Sequence, residues 1–235
     1  MRRRRSIFLT ILILVAAVGL SLGVLTVLFK QEPEFYTAPS DGEDDDLTAV
    51  AVLTRFGDLK NDIRSKPDWG ATFTGEELNA FLRANLADGE TLASILPEGL
   101  SSPRVSIDGD RVKIAARYRH AGSEFFSTVV VIELKIWLVS QQLNTVAVEF
   151  CKVTAGAVPI GSQSQLDKIT EAAKDSNIDV MWYRHDGNPV GLFRFYADQS
   201  RPTTHIRTVS VGDGRVTVGG KSLIDPTVGP VVAKP

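Results

Sequence analysis

The feature that most constrains this chain is a run of 23 residues, Ile7 to Phe29, without one ionisable side chain. It follows Arg2, Arg3, Arg4 and Arg5, and Lys30 closes it. As a helix rising ~1.5 Å per residue it reaches roughly 34 Å, enough to cross a hydrocarbon core of about 30 Å. A cleaved secretory signal has an apolar run of about 7–15 residues and small residues at its cleavage site. This run is longer and finishes Leu25-Thr26-Val27-Leu28-Phe29, bulky where a peptidase needs small side chains. A buried core helix is excluded because no polar stripe marks a solvent face. Four arginines before the run and a single lysine after it put the N-terminus in the cytoplasm. The expected layout is a basic cytoplasmic tip (1–6), one uncleaved transmembrane helix (7–29) and an extracytoplasmic remainder.

Charge beyond the span divides sharply. Residues 31–235 hold 21 basic against 28 acidic groups, and seven of those acids lie between Glu32 and Asp46, a stretch with no basic residue. From Leu47 onward the chain is neutral. No basic face is left to release counterions from a phosphate backbone, so nucleic acid is not an expected partner. Pro33, Pro39 and the self-repelling Asp41 to Asp46 read as a solvated acidic linker over 30–46. Their spacing does not match the alternating-ligand pattern of a calcium loop.

The domain is expected over 47–220, with a loose proline-bearing tail at 221–235. Leu47, Val50, Val52, Leu53, Phe56, Leu59 and Ile63 recur in steps dominated by three and four, the mark of an amphipathic helix. Thr74-Gly75-Glu76-Glu77 is a capping box, Thr74 at the cap and Glu77 at the third helical position. After Pro97 and Gly99 the period falls to two. Asp108-Gly109-Asp110 marks a hairpin, and Val112 to Tyr118, Phe125 to Val139 and Val146 to Phe150 follow as antiparallel neighbours. Ile160, Leu166, Ile169 and Ala173 give an apolar stripe that predicts a helix from about Gly161 to Asn177, with Ser162 or Ser164 as its cap. Strands are then expected at 178–183, 190–196, 205–211 and 215–218. The predicted fold class is α+β: an N-terminal transmembrane helix plus a curved antiparallel sheet packed on amphipathic helices.

Catalytic signals are thin. Gly161-Ser162-Gln163-Ser164 is not a nucleophile elbow, and no phosphate-binding loop or zinc motif occurs. His120, His185 and His205 are scattered, so no metal site and no cofactor are expected. Glu133 and Lys135 share a strand face and read as an ion pair before an acid/base pair. Cys151, the single cysteine, lies in an apolar alternating run and reads as a small buried hydrophobe.

The departure from an ordinary domain is the strand Phe125 to Val139. One face shows Phe125, Val129, Val131 and Trp137 among its residues, and the other is apolar almost throughout. A half-exposed antiparallel strand alternates more cleanly, so this one needs cover on both faces. Cover by the domain's own helices is the plain reading. A groove for lipid acyl chains is the functional one, with Met181, Trp182, Leu192, Phe193 and Phe195 as further lining.

Four segments in order complete the pattern: Phe73-Thr74-Gly75-Glu76-Glu77-Leu78-Asn79-Ala80-Phe81-Leu82, Val105-Ser106-Ile107-Asp108-Gly109-Asp110, Val153-Thr154-Ala155-Gly156-Ala157-Val158-Pro159, and Ile206 to Arg215 ahead of Val218-Gly219. Behind a membrane anchor, that order resembles the YpmS-like bacterial envelope proteins and, more loosely, the LmeA-like proteins of the tubular lipid-binding kind. The resemblance covers roughly Phe73 to Gly220. It implies a long curved sheet against helices, no catalytic residues and a lipid or envelope-polymer role. The functional expectation is a non-catalytic, single-pass membrane protein whose extracytoplasmic domain binds a lipid or other amphiphile. The alternative is a module that docks another envelope or membrane protein.

Overall fold

The computed structural model describes residues 20, 21, 23–37, 43–87, 99–119, 127–161, 163–196, 199 and 203–223. Most of the expected span and the first aromatic residue of the proposed lining, Phe125, lie outside them. Residues 23–30 are helical, and among the described residues no helix is long and apolar enough to cross a membrane.

The chain is α+β. Four labelled helices are α1 (Glu34–Thr37), α2 (Glu43–Ser65), α3 (Gly75–Ala87) and α4 (Gln163–Asp175). The strands are β1 (Asp68–Thr74), β2 (Leu100–Asp108), β3 (Arg111–Arg119), β4 (Ser127–Leu138) and β5 (Thr145–Ala155). They continue with β6 (Val158–Pro159), β7 (Asp179–His185), β8 (Asn188–Arg194), β9 (Thr204–Gly212) and β10 (Arg215–Ser222). A seven-stranded sheet runs β2-β3-β4-β5-β8-β7, with β6 paired to β5, and a second sheet runs β1-β10-β9. Every pairing is antiparallel.

The meander β2 to β5 follows from its turns: Asp108-Gly109-Asp110 joins β2 to β3, and Gly109 takes the positive φ of 57° that such a tight connection needs. The single sheet expected from the alternating segments is two sheets. β1 is the strand the sequence reading passes over, although Trp69 and Phe73 are buried on alternate positions. Its partner β10 lies some 145 residues on, as the Thr72–Thr217 hydroxyl contact measures, so no local turn signals the pairing. The β10 end also departs from the expected loose tail. Its last residue, Ser222, is buried, donates its N–H to Pro67 O (2.9 Å) and donates its hydroxyl to Ile63 O.

The helix caps behave as written in the sequence. The Thr74 hydroxyl accepts from Glu77 N–H (3.2 Å) and the Glu77 carboxylate accepts from Thr74 N–H (2.9 Å), the reciprocal pair of a capping box. α2 corrects its own expected stripe. It starts at Glu43, and its apolar residues split: Val52 is buried and Phe56 stacks on Phe73 at 4.3 Å, while Leu47, Val50 and Leu53 face outward.

The larger correction concerns the acidic linker over 30–46. Residues 31–37 are docked on the sheet. Tyr36 is 6% exposed and clusters with Ala115 and Val129, with Phe35 and Val131 packed alongside. Its hydroxyl donates to Ser102 O (3.0 Å), and the guanidinium groups of Arg104 and Arg117 lie 5.8 and 5.5 Å from its ring centre. Glu32 pairs with Arg117 at 2.7 Å. Burial pushes Arg117 down, but the hydrogen bond and charge of Glu32 outweigh it and hold the guanidinium above its ordinary value. The buried Tyr36 ring outweighs the solvating acids because burying it is worth about 2–3 kcal/mol, with half-buried Phe35 adding to it. Acid composition alone did not carry that information.

Candidate functional site

Register divides the proposed lining between two faces. Val129, Val131 and Trp137 share one face of β4, and pairing carries Trp137 across Ala147 and Leu192 to Met181 in a single cross-strand row. Trp182 pairs with Gly191, and Phe193 with Val146, so both lie on the opposite face. No one groove collects all of them.

The protein itself covers much of both faces. Phe35 and Tyr36 lie over Val129 and Val131. On the other side Leu134, Phe150 and Leu166 form a buried cluster with Ile132, Ile136, Ile169 and Trp182 packed against it, so α4 is the lid. Trp182 donates its indole N–H to the Thr170 hydroxyl of α4 (2.7 Å) and stands edge-on to Phe193 at 6.1 Å. Phe195 is half-buried beyond the end of β8, its N–H donated to Asn144 O (3.0 Å). The remaining row is most exposed at its β7 end: Met181 is 65% exposed, Leu192 and Trp137 are half-buried, and Ala147 between them is fully buried.

The charged residues on the Trp137 face form a cross-strand lattice. Arg111 pairs with Glu133 (2.7 Å), Lys135 with Asp110 (2.8 Å) and Lys113 with Asp108 (2.8 Å). Hydrogen bonds from Lys113 and Lys135 hold Asp108 and Asp110 below the ordinary carboxylate range. Glu133 and Lys135 thus pair with other partners and not with each other. Burial pushes the Cys151 thiol up, which makes it a poorer nucleophile, in keeping with its place at the break in β4–β5 register. His185 ends β7 and His205 lies on β9 in the other sheet, while His120 is outside the described residues. Among the described residues no group of histidine, cysteine and acidic side chains could hold a metal.

What sequence reasoning missed is the contrast between the two outer strands of the large sheet. At β2 the side chain of Asn79 donates to Val105 O (2.8 Å) and accepts from Val105 N–H (2.7 Å), standing where another strand's backbone would be. Pro103 supplies no N–H, and the register breaks between Ser101 and Arg104. β7 has no such cover: among the described residues no strand pairs with its outer side. It carries neither proline nor lysine, and Met181 and Tyr183 (42% exposed) stand beside that side. The only trace in the sequence is the Val-Met-Trp-Tyr alternation with apolar residues on both faces.

Comparison with family models, with curated proteins and with solved structures finds no match for this chain.

Proposed function

We propose that this is a single-pass membrane protein whose extracytoplasmic domain is a non-catalytic docking module, taking an extended segment of another membrane or envelope protein along β7. The observation that carries the reading is that, among the described residues, no strand pairs with the outer side of β7, with Met181 and Tyr183 exposed beside it. An unpaired strand offers a row of backbone donors and acceptors to an incoming chain, and alternate side chains supply selectivity. The uncharged run 7–29 supports the anchor, and the likeness to YpmS-like envelope proteins is consistent with both.

A second reading, an amphiphile held along Met181, Leu192 and Trp137, is favoured by that half-exposed apolar row. Magnitude decides against it as the first choice. Full burial of a 16-carbon tail is worth about 12 kcal/mol at ~0.8 kcal/mol per CH₂, and a row in which Ala147 is fully buried and Leu192 and Trp137 are half-buried leaves too little exposed apolar surface to supply it.

The test places a photo-crosslinking amino acid at Met181, Tyr183 or, as control, Gln142 in the full-length protein in its native membrane. A protein adduct of one discrete mass at 181 and 183, lost with Leu192→Lys and absent at 142, is the expected result. Lipid adducts at those two positions would replace docking by the second reading, and equal labelling at all three would end both. Retention of the chain in membranes through alkaline carbonate washing checks the anchor separately.

A further inference from the structure

The helix at 23–30 ends in contacts that fix it to the large sheet. The last carbonyls of a helix have no partners within it. Here Ala157 N–H donates to Leu28 O (2.8 Å), and the Thr128 hydroxyl donates to Phe29 O. Gly156, at a positive φ of 58°, is buried against the same two carbonyls, and a Cβ there would collide with both. One step further on, the Glu32–Arg117 pair and buried Tyr36 continue the grip.

These contacts fix a height. Leu28 and Phe29 are the last residues of the uncharged run, so in a chain that spans at 7–29 they sit at the edge of the hydrocarbon. A hydrogen bond of 2.8 Å brings Ala157 to that same edge. The composition of the neighbouring chain fits such a place. From Val153 to Leu166 there is no ionisable side chain. Within it Ala157 and Pro159 are exposed, and Val158 and Ile160 half-buried. In a water-facing hairpin an uncharged Ala-Val-Pro-Ile segment with two exposed and two half-buried residues needs a reason; against headgroups it has one. Exposed Lys30 and Arg119 flank the site and suit anionic lipid.

We propose that the hairpin Ala155–Gly161 is a second membrane contact: it rests in the headgroup layer beside the anchor and, with Gly156 as its seat, mounts the domain on the bilayer in one orientation. The inference rests on the reading of residues 7–29 as a membrane span. It adds a lipid surface as the partner of a specific hairpin and makes the anchor a rigid mount.

Full-length protein carrying Cys151→Ser and one new cysteine at Ala157, Ile160 or Gln142 would be labelled with a small fluorophore. It would be reconstituted in vesicles of phosphatidylcholine and phosphatidylglycerol containing a headgroup-attached nitroxide lipid. Labels at 157 and 160 should be quenched at least threefold more than the label at 142, at the far end of the β4–β5 connection. Ile160→Asp, at a half-exposed position that leaves the core intact, should lower quenching at 157 by half or more, and Gly156→Val should bring 157 towards 142. Equal quenching at 157 and 142 in protein that still floats with the vesicles overturns the mount and leaves the anchor standing. Protein that fails to float removes the span itself, and the inference with it.

Discussion

The two outer strands of the large sheet solve one problem in opposite ways. β2 is closed by the Asn79 amide, which replaces a neighbouring strand at Val105, and by Pro103, which has nothing to donate. β7 ends the sheet with Met181 and Tyr183 in solvent and no cover on its outer side among the described residues. A domain that covers one outer strand with a side chain placed to within hydrogen-bonding distance at both atoms has the means to cover the other. That no strand pairs with the outer side of β7 among the described residues is the difference to which the docking proposal attaches.

The comparison can be broken in four places. The largest effect is expected for Trp182→Ala. It empties the contact between β7 and α4 and loosens the open strand, lowering stability by about 3 kcal/mol, or roughly 6–12 °C in a thermal melt. A melt within 2 °C of the parent would mean that Trp182 does not hold β7. Next comes Asn79→Ala, which leaves the Val105 N–H and C=O without partners. About 2 kcal/mol, roughly 4–8 °C, should be lost, and light scattering should report self-association that grows with concentration because β2 is now open too. Parental stability together with parental association would show that the amide does not cover that strand.

Thr170→Val sharpens the comparison by removing the acceptor of the Trp182 indole, together with the hydroxyl's own bond to Leu166 O within α4 (2.9 Å), and about 1 kcal/mol, or roughly 2–4 °C, is expected. If the shift equals that of Trp182→Ala, the hydrogen bond and not the ring is what seats β7. Smallest is Asp110→Asn, which breaks an exposed pair between the β2–β3 turn and Lys135 of β4, and its shift should be below that of Thr170→Val. Its pH dependence has a definite sign. Because Lys135 lowers the Asp110 pKa, the pair stabilises the fold above the ordinary carboxylate range and the contribution vanishes as pH falls through the lowered value. The difference between parent and variant should therefore be present at pH 7 and lost in strong acid. A gap that widens on acidification would reverse the argument.

How much of this was legible in the sequence differs from element to element. The capping box, the Asp-Gly-Asp hairpin and the stripe Leu166, Ile169 and Ala173 of α4 are local patterns, and each names its own partner within a few residues. β1 was not legible, because its partner β10 lies at the other end of the chain. The split of the proposed lining was hidden for a related reason. Period two tells that Trp182 and Met181 point to opposite faces, but only the β4–β5–β8–β7 pairing tells that Met181, and not Trp182, shares a face with Trp137. Tyr36 misled through composition: one ring buried between two arginines outweighed the acids around it.

By itself, the sequence determined the class of secondary elements, the sites of the tight turns and the presence of one uncharged stretch long enough to cross a bilayer. These depend on dihedral preference and on transfer energy, which act over a turn or two of chain. Only the tertiary structure decided which strand would be outermost, that Asn79 would shield β2, and that Ala157 would cap the helix ending at Lys30. Those outcomes depend on the geometric meeting of groups separated by dozens of residues, where a shift of one place in register would turn every side chain of a strand to the other face.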